Sequence, residues 1–185
     1  MINPKAKWLF ASLLILAILG VSLPLGFDYM TLDKDVFAFM RALSEISKDA
    51  RRNGMGSTQR YALMDKNIEM HLAKIQSPSK LRDVFYACEE KTGFGYHNAQ
   101  MQVLFRLADI RDDTSARILV GLLADETIIW DGERSLTIYE ALVRCGDACM
   151  PGLSQITGEK HRLAEEAMSA IRGATATAPT TVPGS

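Results

Sequence analysis

Of the 185 residues, the three cysteines and three histidines are the side chains best equipped for chemistry. Cys145 and Cys149 lie four apart around the sequence CGDAC. In an oxidising compartment, a helix end could bring such a pair within the ~4.4 to 6.8 Å Cα separation that a disulfide needs. A competing reading places Cys145 at a core position and Cys149 at a helix start, with Cys88 a buried thiol on the apolar face of an earlier helix. The pair is not a zinc site, because no second pair of ligands accompanies it. His71, His97 and His161 fall in separate segments without a carboxylate at ligand spacing, so they read as helix-surface or loop-capping residues. Two glycine-rich stretches, NGMGS from Asn53 and GFG at Gly93, read as connectors. The first lacks a preceding strand and a Lys-Ser/Thr ending, and the second lacks a later helix glycine. The acidic pairs Asp112-Asp113 and Glu165-Glu166 suit helix ends and solvated faces. No catalytic, cofactor-binding or metal-binding set emerges, and the chain is expected to be a binding protein, not an enzyme.

Candidate partner-binding residues are aromatic: Trp130 in IIWDGE, with Phe94 and Tyr96 in GFGYH, on expected loops on one side of the molecule. Such side chains either anchor a partner or tuck beneath their own loop. Lys48, Arg51, Arg52 and Arg60 form the densest basic patch, which suits a helix C-terminus or an anionic lipid surface. Met40, Met55, Met64, Met70 and Met101 fit core filling, or a groove for a small molecule or lipid. With 21 basic against 22 acidic residues, a net charge of −1, nucleic acid is excluded as the main partner.

The elements that must position these residues begin after an address. Between Trp8 and Leu25, eighteen residues carry no charge, and Lys5 and Lys7 precede them. Eighteen helical residues span roughly 27 Å, close to a hydrocarbon core of about 30 Å. Residues 1–27 therefore read as a single membrane anchor or a signal peptide cleaved near Ser22. Because the lysines stay inside, everything from Asp28 onward is expected to be exported, into a periplasmic or other extracytoplasmic space.

Residues 28–172 read as helix after helix, near 33–52, 57–76, 79–90, 98–110, 114–124, 133–145, 148–156 and 159–172. The first helix is expected to bury Val36, Phe37, Met40, Leu43 and Ile46. The second should bury Tyr61, Met64, Ile68, Leu72 and Ile75. Residues 173–185, rich in Thr, Ala and Pro, have little to bury and are expected to be a disordered tail. Three segments align without gaps at a spacing of 35 residues: LAKIQSPSKL from Leu72, LADIRDDTSA from Leu107 and LVRCGDACMP from Leu142. Each reads as a helix end, a turn with Ser77, Asp112 or Asp147, and the start of the next helix. Hairpins of this kind bury their apolar faces by stacking.

Within that pattern, the stretch RSLTIYEALVRCGDACMPGLSQI from Arg134 to Ile156 resembles a HEAT or HEAT-like (armadillo-type) repeat. An Arg stands near the start of its helix, Gly146-Asp147 occupies the turn, and Ala148 and Pro151 open the next helix. Leu107 to Leu123 resembles it more loosely, and ETIIWDGE interrupts the usual step from Asp125 to Arg134. The resemblance implies an all-α fold, an α-solenoid of about four hairpins, that scaffolds a protein or peptide partner. A part in an envelope enzyme's accessory machinery, or in carrying a small molecule or lipid between helices, is the alternative. No catalytic residue is implied.

Overall fold

The computed structural model describes residues 33–52, 57–89, 91 and 93–177. The expected anchor or signal at 1–27 lies outside the described residues. No described helix is long and apolar enough to cross a membrane.

All described secondary structure is helical: α1 (Lys34–Arg52), α2 (Ser57–Leu72), α3 (Pro78–Glu89), α4 (Phe94–Ile110), α5 (Asp113–Ala124), α6 (Gly132–Cys145), the short α7 (Met150–Leu153) and α8 (His161–Thr177). Single 3-10 turns at Gly146–Cys149 and Gly158–Lys160 precede α7 and α8. Local chemistry explains the starts. Asp33 accepts from the Asp35 amide at 2.9 Å at the head of α1, and Lys80 of α3 reaches both Asp33 at 3.1 Å and Asp35 at 2.5 Å. Pro78 opens α3, where a missing N–H costs nothing.

Alternate helices pack on one another: α1 on α3, α3 on α5 and α5 on α7, while α2 packs on α4, α4 on α6 and α6 on α8. Sequential neighbours also touch, with α3 on α4 especially extensive. One continuous core runs through these contacts, from Val36 and Leu43 through Phe85, Leu104 and Leu119 to Leu142, Ala164 and Ile171. The residues at the 35-residue spacing are its fixed points, since Leu72, Leu107 and Leu142 are 2%, 0% and 0% exposed at the ends of α2, α4 and α6. Burial of each such leucine contributes about 1.5 to 3 kcal/mol by transfer from water.

Several expectations need correction. In α1, Phe39 is buried while Phe37 is exposed, and in α2 Tyr61 is exposed. A 3.6-residue period defines a stripe but leaves open which flank of it meets a neighbour. The second helix ends at Leu72; Ala73 to Gln76 form a turn whose Ile75 is buried. The glycine-rich stretch before Asn98 is helical from Phe94, because Gly93 alone adopts a left-handed conformation (φ 130°), whereas Gly95 packs inside α4. The final helix extends past Arg172 to Thr177; residues 178–185 lie outside the described residues.

Candidate functional site

A groove of about 1110 Å³ lies between α5 and the segment from Ala148 to Lys160. Its two walls form for different reasons. Asp112 starts α5 by accepting the Ser115 amide at 2.6 Å, and α5 then runs for twelve residues, with Arg117, Val120 and Gly121 lining the groove. The opposite wall never builds a long helix. Gly146 turns the chain at φ 80°, a 3-10 turn follows, and α7 ends after Leu153. The walls meet at Gly152, where an added Cβ would stand 2.9 Å from Cγ1 of Val120.

Charge in the groove is unevenly engaged. Arg117 donates from Nε to the Asp113 carbonyl at 3.2 Å. Lys160 donates to the carbonyls of Asp125 and Ile128. The carboxylates of Asp113, Glu126 and Glu159 make no ion pair among the described residues. The groove therefore carries charge of both signs, Asp113, Glu126 and Glu159 beside Arg117 and Lys160, over an apolar floor of Ala116, Val120, Cys149 and Ile156.

One end of the groove is the loop between α5 and α6, where ETIIWDGE interrupts the repeat. This loop is firmly built. Asp125 accepts from the Thr127 amide at 2.9 Å, from Thr127 Oγ1 at 2.6 Å and from the Tyr86 hydroxyl at 2.6 Å. Those donors hold the Asp125 carboxyl below its ordinary value, while burial and the Asp125 charge push Tyr86 up to about 12. Ile128 points into the core, and Ile129 next to it is 70% exposed.

Trp130 is only partly buried and packs on the core; it lies 6.1 Å from the Phe85 ring, with the Arg134 guanidinium 5.7 Å from its own ring centroid. Arg134 pairs with Glu89 at 2.5 Å, and Gln100 donates to both Glu89 and the Phe85 carbonyl. The indole Nε1 is buried with no hydrogen-bond partner among the described residues. Tyr96 likewise packs partly buried against the core. The backbone of Phe94 begins α4. The three aromatics named as partner anchors thus include two that pack, and the loop's outward apolar residue is Ile129, whose place between two packed neighbours only the fold reveals.

All three cysteines are free thiols and buried. Cys88 donates to Met40 Sδ at 3.7 Å, and burial raises its thiol to about 12. Cys145 and Cys149 face each other without a bond between them: the Cys149 thiol, followed by the positive charge of Arg111, lowers Cys145, and Cys149 is raised by the same contact and by burial.

Other candidates disperse. His97 comes within 3.9 Å of Glu133, and, against the expectation that no carboxylate stands at ligand spacing, His161 lies within 3.3 Å of Glu165 at i,i+4. Burial lowers His71. No group of three metal-ligating side chains assembles among the described residues. Lys48 pairs with Glu45 at 2.9 Å; the side chains of Arg51 and Arg52 and all of Met55 lie outside the described residues. Met40 and Met64 belong to the core, and Met70 is exposed. Comparison of the chain with protein-family models, with curated proteins and with solved structures gave no match.

Proposed function

We propose that this chain is a non-enzymatic, exported scaffold of HEAT-like stacked hairpins, tethered or delivered by residues 1–27, that holds a protein or peptide segment in the α5–α7 groove. The observation that carries the reading is the stacking of alternate helices with Leu72, Leu107 and Leu142 buried in register. A row of hairpins of this kind builds an elongated surface suited to partners and not to a single small substrate. Asp113, Glu126 and Glu159, beside Arg117 and Lys160 over an apolar floor, favour a segment that mixes charged and apolar residues.

Photo-crosslinking groups placed at Arg117, Gln155 and Ile129 in native envelopes test this. Protein adducts from the two groove positions that are lost on charge reversal of Glu126 and Glu159 are the expected result. A co-purifying lipid or small molecule in place of a protein adduct overturns the scaffold in favour of a carrier, and turnover by the purified chain overturns it in favour of an enzyme. Recovery of untruncated, soluble, C-terminally tagged protein from the cytoplasm overturns export.

A further inference from the structure

The Cys145–Cys149 pair is the one cluster of nucleophilic side chains that the scaffold reading leaves unused. Three observations set it apart from Cys88. Cys145 ends α6 and Cys149 ends the 3-10 turn that follows, Gly146 (φ 80°) breaks the helix between them, and the Cys149 side chain is the hydrogen-bonding neighbour of the Cys145 thiol. Cys145 retains slight exposure (7%), and Cys149, itself fully buried, lies on the groove wall. Cys88 is instead enclosed between helices, with its thiol directed at Met40.

We propose that Cys145 and Cys149 form a reversible dithiol site that reacts with small disulfides of the glutathione class, Cys145 attacking and Cys149 resolving. The Cys145 thiolate attacks one sulfur of RS–SR; a mixed disulfide forms at Cys145 and RS⁻ departs. The Cys149 thiolate then attacks the Cys145 sulfur, closing the internal disulfide and expelling the second RS⁻. The two thiol protons are taken up by the two departing thiolates, so two electrons pass from the protein to RS–SR, giving two RSH. The order follows from the contacts. The Cys149 S–H and then the Arg111 charge stabilise negative charge on Cys145, and burial disfavours it on Cys149. Closing the bond across Gly146 fixes the turn that carries the groove wall, so the oxidation state of the pair sets the shape offered by that wall.

Full-length protein equilibrated in glutathione buffers from fully reduced to fully oxidised, quenched in acid, denatured, alkylated and digested with trypsin, tests the proposal. Both cysteines fall in one tryptic peptide, residues 145–160. The expected result is a drop from three alkylated thiols to one, with that peptide lighter by two hydrogens and Cys88 alkylated throughout. Cys149→Ser should trap one glutathione on Cys145, whereas Cys145→Ala should slow glutathione uptake at Cys149 at least tenfold. Circular dichroism melts confirm that each variant is folded, and a thermally shifted but folded variant still reports. A pair that stays doubly alkylated in every buffer overturns the proposal. Faster uptake by Cys149 in Cys145→Ala than by Cys145 in Cys149→Ser overturns the assigned order.

Discussion

The turn at Ile110–Asp113 and the turn at Cys145–Met150 stand 35 residues apart, each following a long helix, yet they close in different ways. In the first, a single residue reverses the chain: Arg111 adopts the left-handed conformation (φ 55°), and Asp112 at once caps a twelve-residue helix. In the second, Gly146 makes the reversal and Asp147 lies inside a 3-10 turn, and the helix that follows has four residues with Pro151 near its start. A capped start projects a full helix along its neighbour. An uncapped 3-10 start sinks Cys149 into the core and lets the chain bend away early, and the groove is the space that a longer α7 would have filled. Identical spacing in sequence therefore fixes where a turn falls, while the capping chemistry within it decides how much helix comes after.

The shared part of the comparison is the leucine that precedes each turn, and truncating it should have the largest effect. Leu107→Ala and Leu142→Ala should each lose about 2 to 5 kcal/mol in urea unfolding, because both side chains are wholly enclosed. A cost below about 1 kcal/mol at either site, with the other in range, would break the equivalence of the two positions.

Next come two glycines that line the groove. Gly152→Ala should destabilise by about 1 to 3 kcal/mol, since its Cβ would press on the β-branched Val120. Gly121→Ala, with nothing within 4 Å of its Cβ, should stabilise by about 0.5 to 1 kcal/mol through helix propensity. Opposite signs in paired thermal melts locate the close approach at Gly152.

The reversal residues separate the turns further. Gly146→Ala places a side chain at φ 80° and ψ −145°, close to the region that only glycine adopts readily, and should cost about 1 to 3 kcal/mol, whereas Arg111→Gly relieves the milder αL strain and should change stability by less than about 0.5 kcal/mol.

The smallest effect concerns acid. The amide of Ser115, foremost among its neighbours, holds the Asp112 carboxyl below 3.8, so the folded state releases this proton more readily than the unfolded chain. The cap's contribution is present above that unfolded value and is lost as pH falls through the lower folded value. Asp112→Asn should flatten this part of the acid-unfolding curve; an unchanged curve would show that the cap adds no pH-dependent stability to the first turn.

Much of this was legible from residue order alone. Leu72, Leu107 and Leu142 announced themselves because a buried helix end tolerates little else, and the helix boundaries followed from Pro78, Asp112 and Gly146. Phe37 and Phe39 could not be told apart, since both border the apolar stripe of α1 and only the position of α3 decides between them. Trp130 and Phe85 lie far apart in sequence, so the ring contact that holds the indole partly buried against the core is a tertiary event. The groove was invisible for the same reason: it is made by a helix that stops, and the stop matters only because α5 runs opposite.

Lys160 binds carbonyl oxygens at both Asp125 and Ile128 while standing one residue before α8. Undocking the C-terminal helix must therefore take the donor from two carbonyls that lie 35 and 32 residues before Lys160. The loop between α5 and α6 and the start of α8 consequently behave as one opening unit, exchanging their amide hydrogens together at a free energy below that of global unfolding.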